Sequence, residues 1–191
     1  MPPADSAPRR GTLFLVVGPS GAGKDSLIAG ARARLADDPS VRFVRRAITR
    51  AADAGGEDHE AATPEEFARQ RAAGAYALSW EAHGLGYGIP GNVGADLAAG
   101  RNVVANVSRG VIDDARERFD PLRVVAVTAP AAVLARRLAE RGRETERDIA
   151  ARLARAGYAM PEGEDVEVIE NAGALEDAVA RFTALLTGRR R

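Results

Sequence analysis

Apolar residues in this chain follow two habits: short unbroken runs, and spacings of three or four. Leu13-Phe14-Leu15-Val16-Val17, Val103-Val104-Ala105 and Val124-Val125-Ala126-Val127-Thr128 are unbroken, and Val41 to Val44 and Val166 to Ile169 are each interrupted by one charged residue, which predicts five short strands. Between them, Leu27, Ile28, Ala31 and Leu35 share one helical face in a segment ending near Asp37-Asp38-Pro39. Val133, Leu134 and Leu138 do the same after Pro130, a second helix continues through Ile149, Leu153 and Tyr158, and Leu175 to Leu186 forms a last amphipathic helix. Thr63-Pro64-Glu65-Glu66 has the form of a capping box with proline at the first helical position, and its helix stops at Gly74. Another helix, through Asp96 and Leu97, ends at Gly100. Strands alternating with helices predict an α/β fold on a parallel sheet.

The pattern changes between Tyr76 and Pro90. Tyr76-Ala77-Leu78-Ser79-Trp80 and Gly86-Tyr87-Gly88-Ile89-Pro90, with Ala82-His83-Gly84 between them, read as a small antiparallel lobe inserted into the main fold. Before it, Arg45 to Arg50 and Ala51 to His59 form a charged, glycine-containing stretch that predicts a loop facing ligand or solvent.

The strongest chemical signal lies between the first strand and the first helix, in Gly18-Pro19-Ser20-Gly21-Ala22-Gly23-Lys24-Asp25-Ser26. A glycine-rich turn there lets backbone N–H groups converge on phosphate at the positive end of a helix dipole, with Lys24 bridging the outer phosphates of a nucleoside triphosphate. Lys24 is the only lysine in a chain whose other basic residues are arginine, so it points to a role arginine does not fill. The position after the lysine, normally a Ser or Thr that holds magnesium, is Asp25; as hard oxygen ligands, Asp25 and Ser26 are the two metal candidates. Asn106 and Ser108, two apart at a strand end, point the same way, toward the crevice that an open parallel sheet forms at the carboxyl ends of its strands. Arg137 and Arg141 are i, i+4 neighbours that Arg152 and Arg155 can join, as a polyphosphate clamp or, with Glu140, Glu144 and Glu146, as an ion-paired surface.

The 191 residues suffice for one substantial core. With 27 basic and 27 acidic residues, the balance implies neither a nucleic-acid nor a membrane surface, and the lack of cysteine fits a cytoplasmic enzyme. Residues 1–10 read as a disordered leader, without signal peptide or membrane span. Together these features describe a P-loop NTPase of nucleoside monophosphate kinase type, with an acceptor-binding lobe over about 45–92 and a helical lid over about 137–160.

The P-loop, Ile48-Thr49-Arg50, Tyr87-Gly88, Arg137 to Gly142 and Glu144 to Leu153 follow in the order and spacing of guanylate kinases, a resemblance that covers Gly11 to Leu186 and implies a single domain over 11–188. It implies donor phosphates on Lys24, acceptor phosphate on Arg50 and Tyr87, the transferred group on Arg137, Arg141 and Arg152, and the adenine end of ATP on Asn171. The positions that read guanine differ, being Ser79, Ile89, Asn106 and Ser108. A buried site stripped of its carboxylates loses base specificity. Gly23-Lys24-Asp25, Gly55 to His59, Trp80 to Leu85, Tyr87 to Pro90, Asn106 with Ser108-Arg109, and Arg141 to Glu144 together resemble the ribose 1,5-bisphosphate phosphokinases of phosphonate degradation. That resemblance implies transfer from ATP, with magnesium, to the 1-phosphate of ribose 1,5-bisphosphate, giving 5-phosphoribosyl 1-diphosphate. Such an acceptor requires phosphate clamps and polar hydroxyl contacts, for which Arg50, Tyr87, His59, His83, Ser108 and Arg109 are the candidates. The protein is then expected to work on a small sugar phosphate as a monomer or homodimer. The alternatives are a guanylate or other nucleoside monophosphate kinase and a non-catalytic guanylate-kinase-like interaction module.

Overall fold

The computed structural model describes residues 10–53, 57–140 and 159–188. The main sheet is parallel, with strand order β2-β7-β1-β8-β9: β1 (Leu13–Val17), β2 (Val41–Phe43), β7 (Asn102–Asn106), β8 (Leu122–Thr128) and β9 (Val166–Glu170). The chain divides into two compact units. One takes the chain up to Phe14 with Asp37–Ala105 and Gly110–Leu122; the other takes Leu15–Ala36, Asn106–Arg109 and everything from Arg123.

In the first unit β2 pairs with β7 from Val41↔Asn102 to Phe43↔Val104. The small sheet, of order β4-β3-β6-β5, is built from β3 (Ala47–Ile48), β4 (Glu60–Ala61), β5 (Tyr76–Ala82) and β6 (Leu85–Pro90). β5 and β6 form the expected antiparallel hairpin. However, β3 runs parallel to β4, so the lobe is mixed rather than antiparallel, and Ala47–Ile48 is a central strand where a loop was expected. Two residues are too few to show alternation, whereas both are buried by the neighbours they pair with. Helix α2 (Pro64–Ala72) begins at the predicted capping box: Thr63 Oγ1 accepts from Glu66 N at 3.1 Å, and Glu66 Oε2 accepts from Thr63 N at 2.9 Å. Phe67 on α2 stacks on Tyr76 and covers Gly86, where a side chain would meet its ring. Burial, and secondarily the charge of Glu60, pushes the Tyr76 phenol above its ordinary range. Helix α3 (Val93–Ala98) carries Asp96, a buried carboxylate that pairs with Arg42 and Arg101. Helix α4 (Ile112–Arg118) was not foreseen: only Ile112 and Ala115 of its seven residues are buried, too short a stripe to register.

In the second unit β8 and β9 pair in register from Val124↔Val166 to Thr128↔Glu170. Helices α1 (Lys24–Arg34), α5 (Ala131–Ala139) and α6 (Leu175–Thr187) follow the predicted periodicity. α1 lies against α6, where Gly30 leaves room for Val179, while Phe182 and Leu186 are fully buried. Gly188 closes α6 in a left-handed cap. The predicted helix through Ile149, Leu153 and Tyr158, most of the proposed lid and the leader lie outside the described residues.

Candidate active site

The phosphate loop grows out of a buried strand. All five residues of β1 are buried, so the chain leaves the sheet at Gly18 on a fixed trajectory. Gly18, Gly21 and Gly23 have φ of 155°, 86° and 86°. A side chain at Gly18 would strike the Val127 carbonyl, one at Gly23 would strike the Asn171 amide, and at Gly21 it would lie 3.2 Å from Leu138 Cγ. Glycine is therefore demanded here by space as well as by backbone angle. Gly23 is the N-cap of α1 and supplies no side-chain cap, which leaves the first-turn N–H groups for an anion. Lys24 Nζ folds back to donate to Gly18 O (2.7 Å) and Pro19 O (3.1 Å), so its charge hangs over the loop.

Three side chains of the second unit brace this loop. Asn171, 3% exposed at the end of β9, donates from Nδ2 to Ala22 O at 2.9 Å, and its Oδ1 is buried without a partner among the described residues. The resemblance implied an adenine contact for Asn171; the structure places its amide against the loop backbone. Arg137, on the last turn of α5, donates to Gly21 O at 3.4 Å. Asp25 is exposed, and one of its carboxylate oxygens accepts from Asn106 Nδ2 at 2.9 Å. Ser26 beside it is exposed as well. Ser108 is half-buried, and Arg109, at the start of a single 3-10 turn (Arg109–Val111), donates to Ala159 O at 2.6 Å. Arg141 and Arg152, the other two predicted catalytic arginines, lie outside the described residues.

The remaining acceptor candidates fall in the first unit. Trp80 and Tyr87 are cross-strand partners whose rings stack at 5.3 Å and 6°. The Arg46 guanidinium lies 5.0 Å from the Tyr87 ring and 5.7 Å from that of Trp80, and is held from the side by both Glu57 oxygens. Neither Arg46 nor Glu57 was singled out in the sequence, although Arg45-Arg46 and Glu57-Asp58 carry a signal. They pair in crossed order, Arg45 with Asp58 and Arg46 with Glu57.

Arg50 follows β3. His59, 3% exposed, sits behind it with Nε2 at 3.1 Å from Arg50 O and Nδ1 at 2.9 Å from Glu57 O. The expectation that His59 contacts the acceptor meets a ring whose nitrogens both lie on main-chain oxygens. His83 occupies the first place of the two-residue β5–β6 turn, with φ of 52° followed by Gly84 at 75°; it is an exposed hairpin-tip residue. The six expected acceptor residues thus divide: Arg50, His59, His83 and Tyr87 belong to one unit, Ser108 and Arg109 to the other. A groove between α2 and the hairpin, lined by Thr49, Phe67, Arg71, Glu81 and Leu85 among others, contains none of them.

No protein-family model matches the chain. It is 54% identical over 179 residues to the ribose 1,5-bisphosphate phosphokinase PhnN of Acidiphilium cryptum, covering 94% of each. To the protein of that name from Ruegeria sp. it is 46% identical over 189 residues, covering 98% of each. It also matches a bifunctional ribose 1,5-bisphosphokinase-thymidine phosphorylase of Cupriavidus necator at 51% identity over 181 residues, where it spans 30% of that protein's length. Among solved structures, guanylate kinase from Anaplasma phagocytophilum superposes with a TM-score of 0.62 at 20% identity, over 94% of this chain and 86% of that one. A sugar kinase from Janibacter sp. does so at 0.53 and 18%, over 93% and 95%. The structural likenesses carry the fold, an α/β P-loop kinase fold, and the near full-length sequence matches carry the family: the chain belongs to the ribose 1,5-bisphosphate phosphokinases.

Proposed function

We propose that this protein transfers the γ-phosphoryl group of ATP to the 1-phosphate of ribose 1,5-bisphosphate, producing 5-phosphoribosyl 1-diphosphate and ADP. The observation that carries this reading is the match to a relative of that name over 98% of both chains. The geometry supports it from the donor side, through a glycine-shaped phosphate cradle with Lys24 above it. It also supports a sugar phosphate over a nucleotide: Ile89, where a guanine-reading hydroxyl was expected, is 1% exposed in the core of the small sheet. A buried aliphatic side chain offers a base no hydrogen bond.

An oxygen of the acceptor's 1-phosphate forms the new bond to the γ-phosphorus, and the bond from phosphorus to the β,γ-bridging oxygen breaks, its electrons leaving with ADP. The attacking oxygen is already anionic near neutral pH, so the reaction needs no strong base and depends on positioning and charge. Lys24 and the α1 amides hold the β- and γ-phosphates. Arg137, braced on Gly21 O, together with Arg141 and Arg152, neutralises the migrating group. Arg50 and Tyr87 hold acceptor phosphate, and Ser108 and Arg109 complete the polar contacts.

The residues present fit magnesium of the kind that keeps several waters and takes one or two protein oxygens, since Asp25 is exposed at the loop and steadied by Asn106. Asp25 or Ser26 would hold the ion, which when bound neutralises phosphate charge. Among the described residues no helix is long and apolar enough to cross a membrane.

Incubating the protein with MgATP and ribose 1,5-bisphosphate and following phosphorus NMR tests the reading. The appearance of a 1-diphosphate on the sugar with stoichiometric ADP is expected. ATP consumed without that product refutes it.

A further inference from the structure

We infer that His59 is the positioning residue of the acceptor site: its imidazole ties the two described ends of the 50–59 loop and, through its contacts, holds Arg50 where its donors are offered to an anion. This rests on the proposed role of Arg50 as acceptor-phosphate ligand.

The ring is 3% exposed, so its polar atoms are satisfied by protein or not at all. Nε2 faces the carbonyl of Arg50 at 3.1 Å, and Nδ1 faces that of Glu57 at 2.9 Å. Carbonyl oxygens only accept, so both contacts are hydrogen bonds only when both ring nitrogens carry protons. The His59 carbonyl is fixed separately, accepting from Arg45 Nη2 at 2.9 Å. The backbone on either side of the ring is therefore pinned, and the imidazole spans it as a cross-brace.

Arg50 supplies the second half. Its Nη2 lies 3.4 Å from His59 Nδ1, and its Nε is buried with no partner among the described residues. A neutral ring protonated at Nε2 turns the Nδ1 lone pair toward Arg50 and away from agreement with Glu57 O. A doubly protonated ring donates to both carbonyls and has nothing to offer a guanidinium. Arg50 then keeps its donors, including the buried Nε, for an incoming oxyanion, and the second positive charge beside it favours the same ligand. Among the described residues, the neighbouring charges of this stretch are already engaged, Arg46 with Glu57 and Arg45 with Asp58, and Glu60 is exposed on β4. Arg50 is thus the cation whose partner His59 sets.

The test uses the full chain, with the wild type, His59→Gln, Arg50→Ala and the double variant, measuring KM for acceptor, KM for ATP and kcat. Glutamine spans one of the two carbonyls in place of both. His59→Gln is expected to raise acceptor KM by about three- to tenfold, the worth of one hydrogen bond, while KM for ATP and kcat stay within about twofold of the wild type. In the Arg50→Ala background the substitution adds nothing. An equal rise in the Arg50→Ala background, or a joint shift of both KM values and kcat, overturns the inference. GMP is run in parallel. Whichever acceptor the wild type phosphorylates reports on Arg50, so failure of the sugar-phosphate reading appears as a change of acceptor, and failure of this inference as loss of the coupling to Arg50.

Discussion

Gly23 shows how tightly single residues constrain the donor site. It combines a left-handed φ of 86° with an Asn171 amide packed where a side chain would start. Gly23→Ala carries roughly 1–2 kcal/mol of backbone strain before any displacement of Asn171, and is expected to weaken ATP binding about five- to thirtyfold at that cost alone. Titration with ATP checks it, and unchanged affinity would mean that the loop adjusts freely. Asp25→Ala is expected to raise the magnesium concentration needed for half-maximal rate; an unaltered magnesium dependence moves that role to Ser26. At this scale the glycines and Lys24 were legible because a phosphate cradle has a local signature. Asn171 was legible only by resemblance, and its observed contact, 149 positions away at Ala22, has no local trace. Arg46 escaped for a similar reason: its significance comes from the Trp80–Tyr87 pair, which exists only once β5 and β6 are in register.

The elements divide by how much of their stability is local. α2 announces itself through Thr63 and Glu66, and its boundaries were readable because capping chemistry is written in adjacent residues. Thr63→Ala is expected to cost about 1 kcal/mol, visible as a lowered thermal midpoint with unchanged KM for ATP; an unchanged midpoint would show that α2 is held by Phe67 packing alone. β3 and α4 were invisible for the opposite reason. Ala47–Ile48 is a strand because β4 and β6 flank it, and α4 is a helix with two buried residues; neither has enough periodicity to stand above its surroundings. His83, an acceptor candidate within the motif from Trp80 to Leu85, takes its place from the two-residue turn, which puts it at the exposed hairpin tip.

For the whole molecule, zero net charge means that binding polyanions relies on local placement of cations. The second unit holds Lys24 and Arg137 at the P-loop and Arg109 elsewhere in the same unit, and the first holds Arg46 and Arg50 around the small sheet. Lys24→Ala is accordingly expected to abolish phosphoryl transfer to any acceptor while leaving the thermal midpoint within about 1 °C, because a half-buried surface charge contributes little to folding. Turnover that survives the substitution would remove the P-loop from the mechanism. The fold class was readable from strand–helix alternation and one nine-residue motif. The choice of acceptor was legible only through the resemblance that several short motifs carry together, because physically it depends on which polar groups of a mixed four-stranded sheet remain after Ile89 and Trp80 are buried.

That choice is measured directly by the ratio of kcat/KM for ribose 1,5-bisphosphate to kcat/KM for GMP, with MgATP saturating. A ratio above about 100, the scale on which a site lacking base-reading groups rejects a nucleotide, is predicted. A ratio below one, with GDP as the main product, would contradict the account and make Ser79, Ile89, Asn106 and Ser108 tolerated variations in a guanylate kinase.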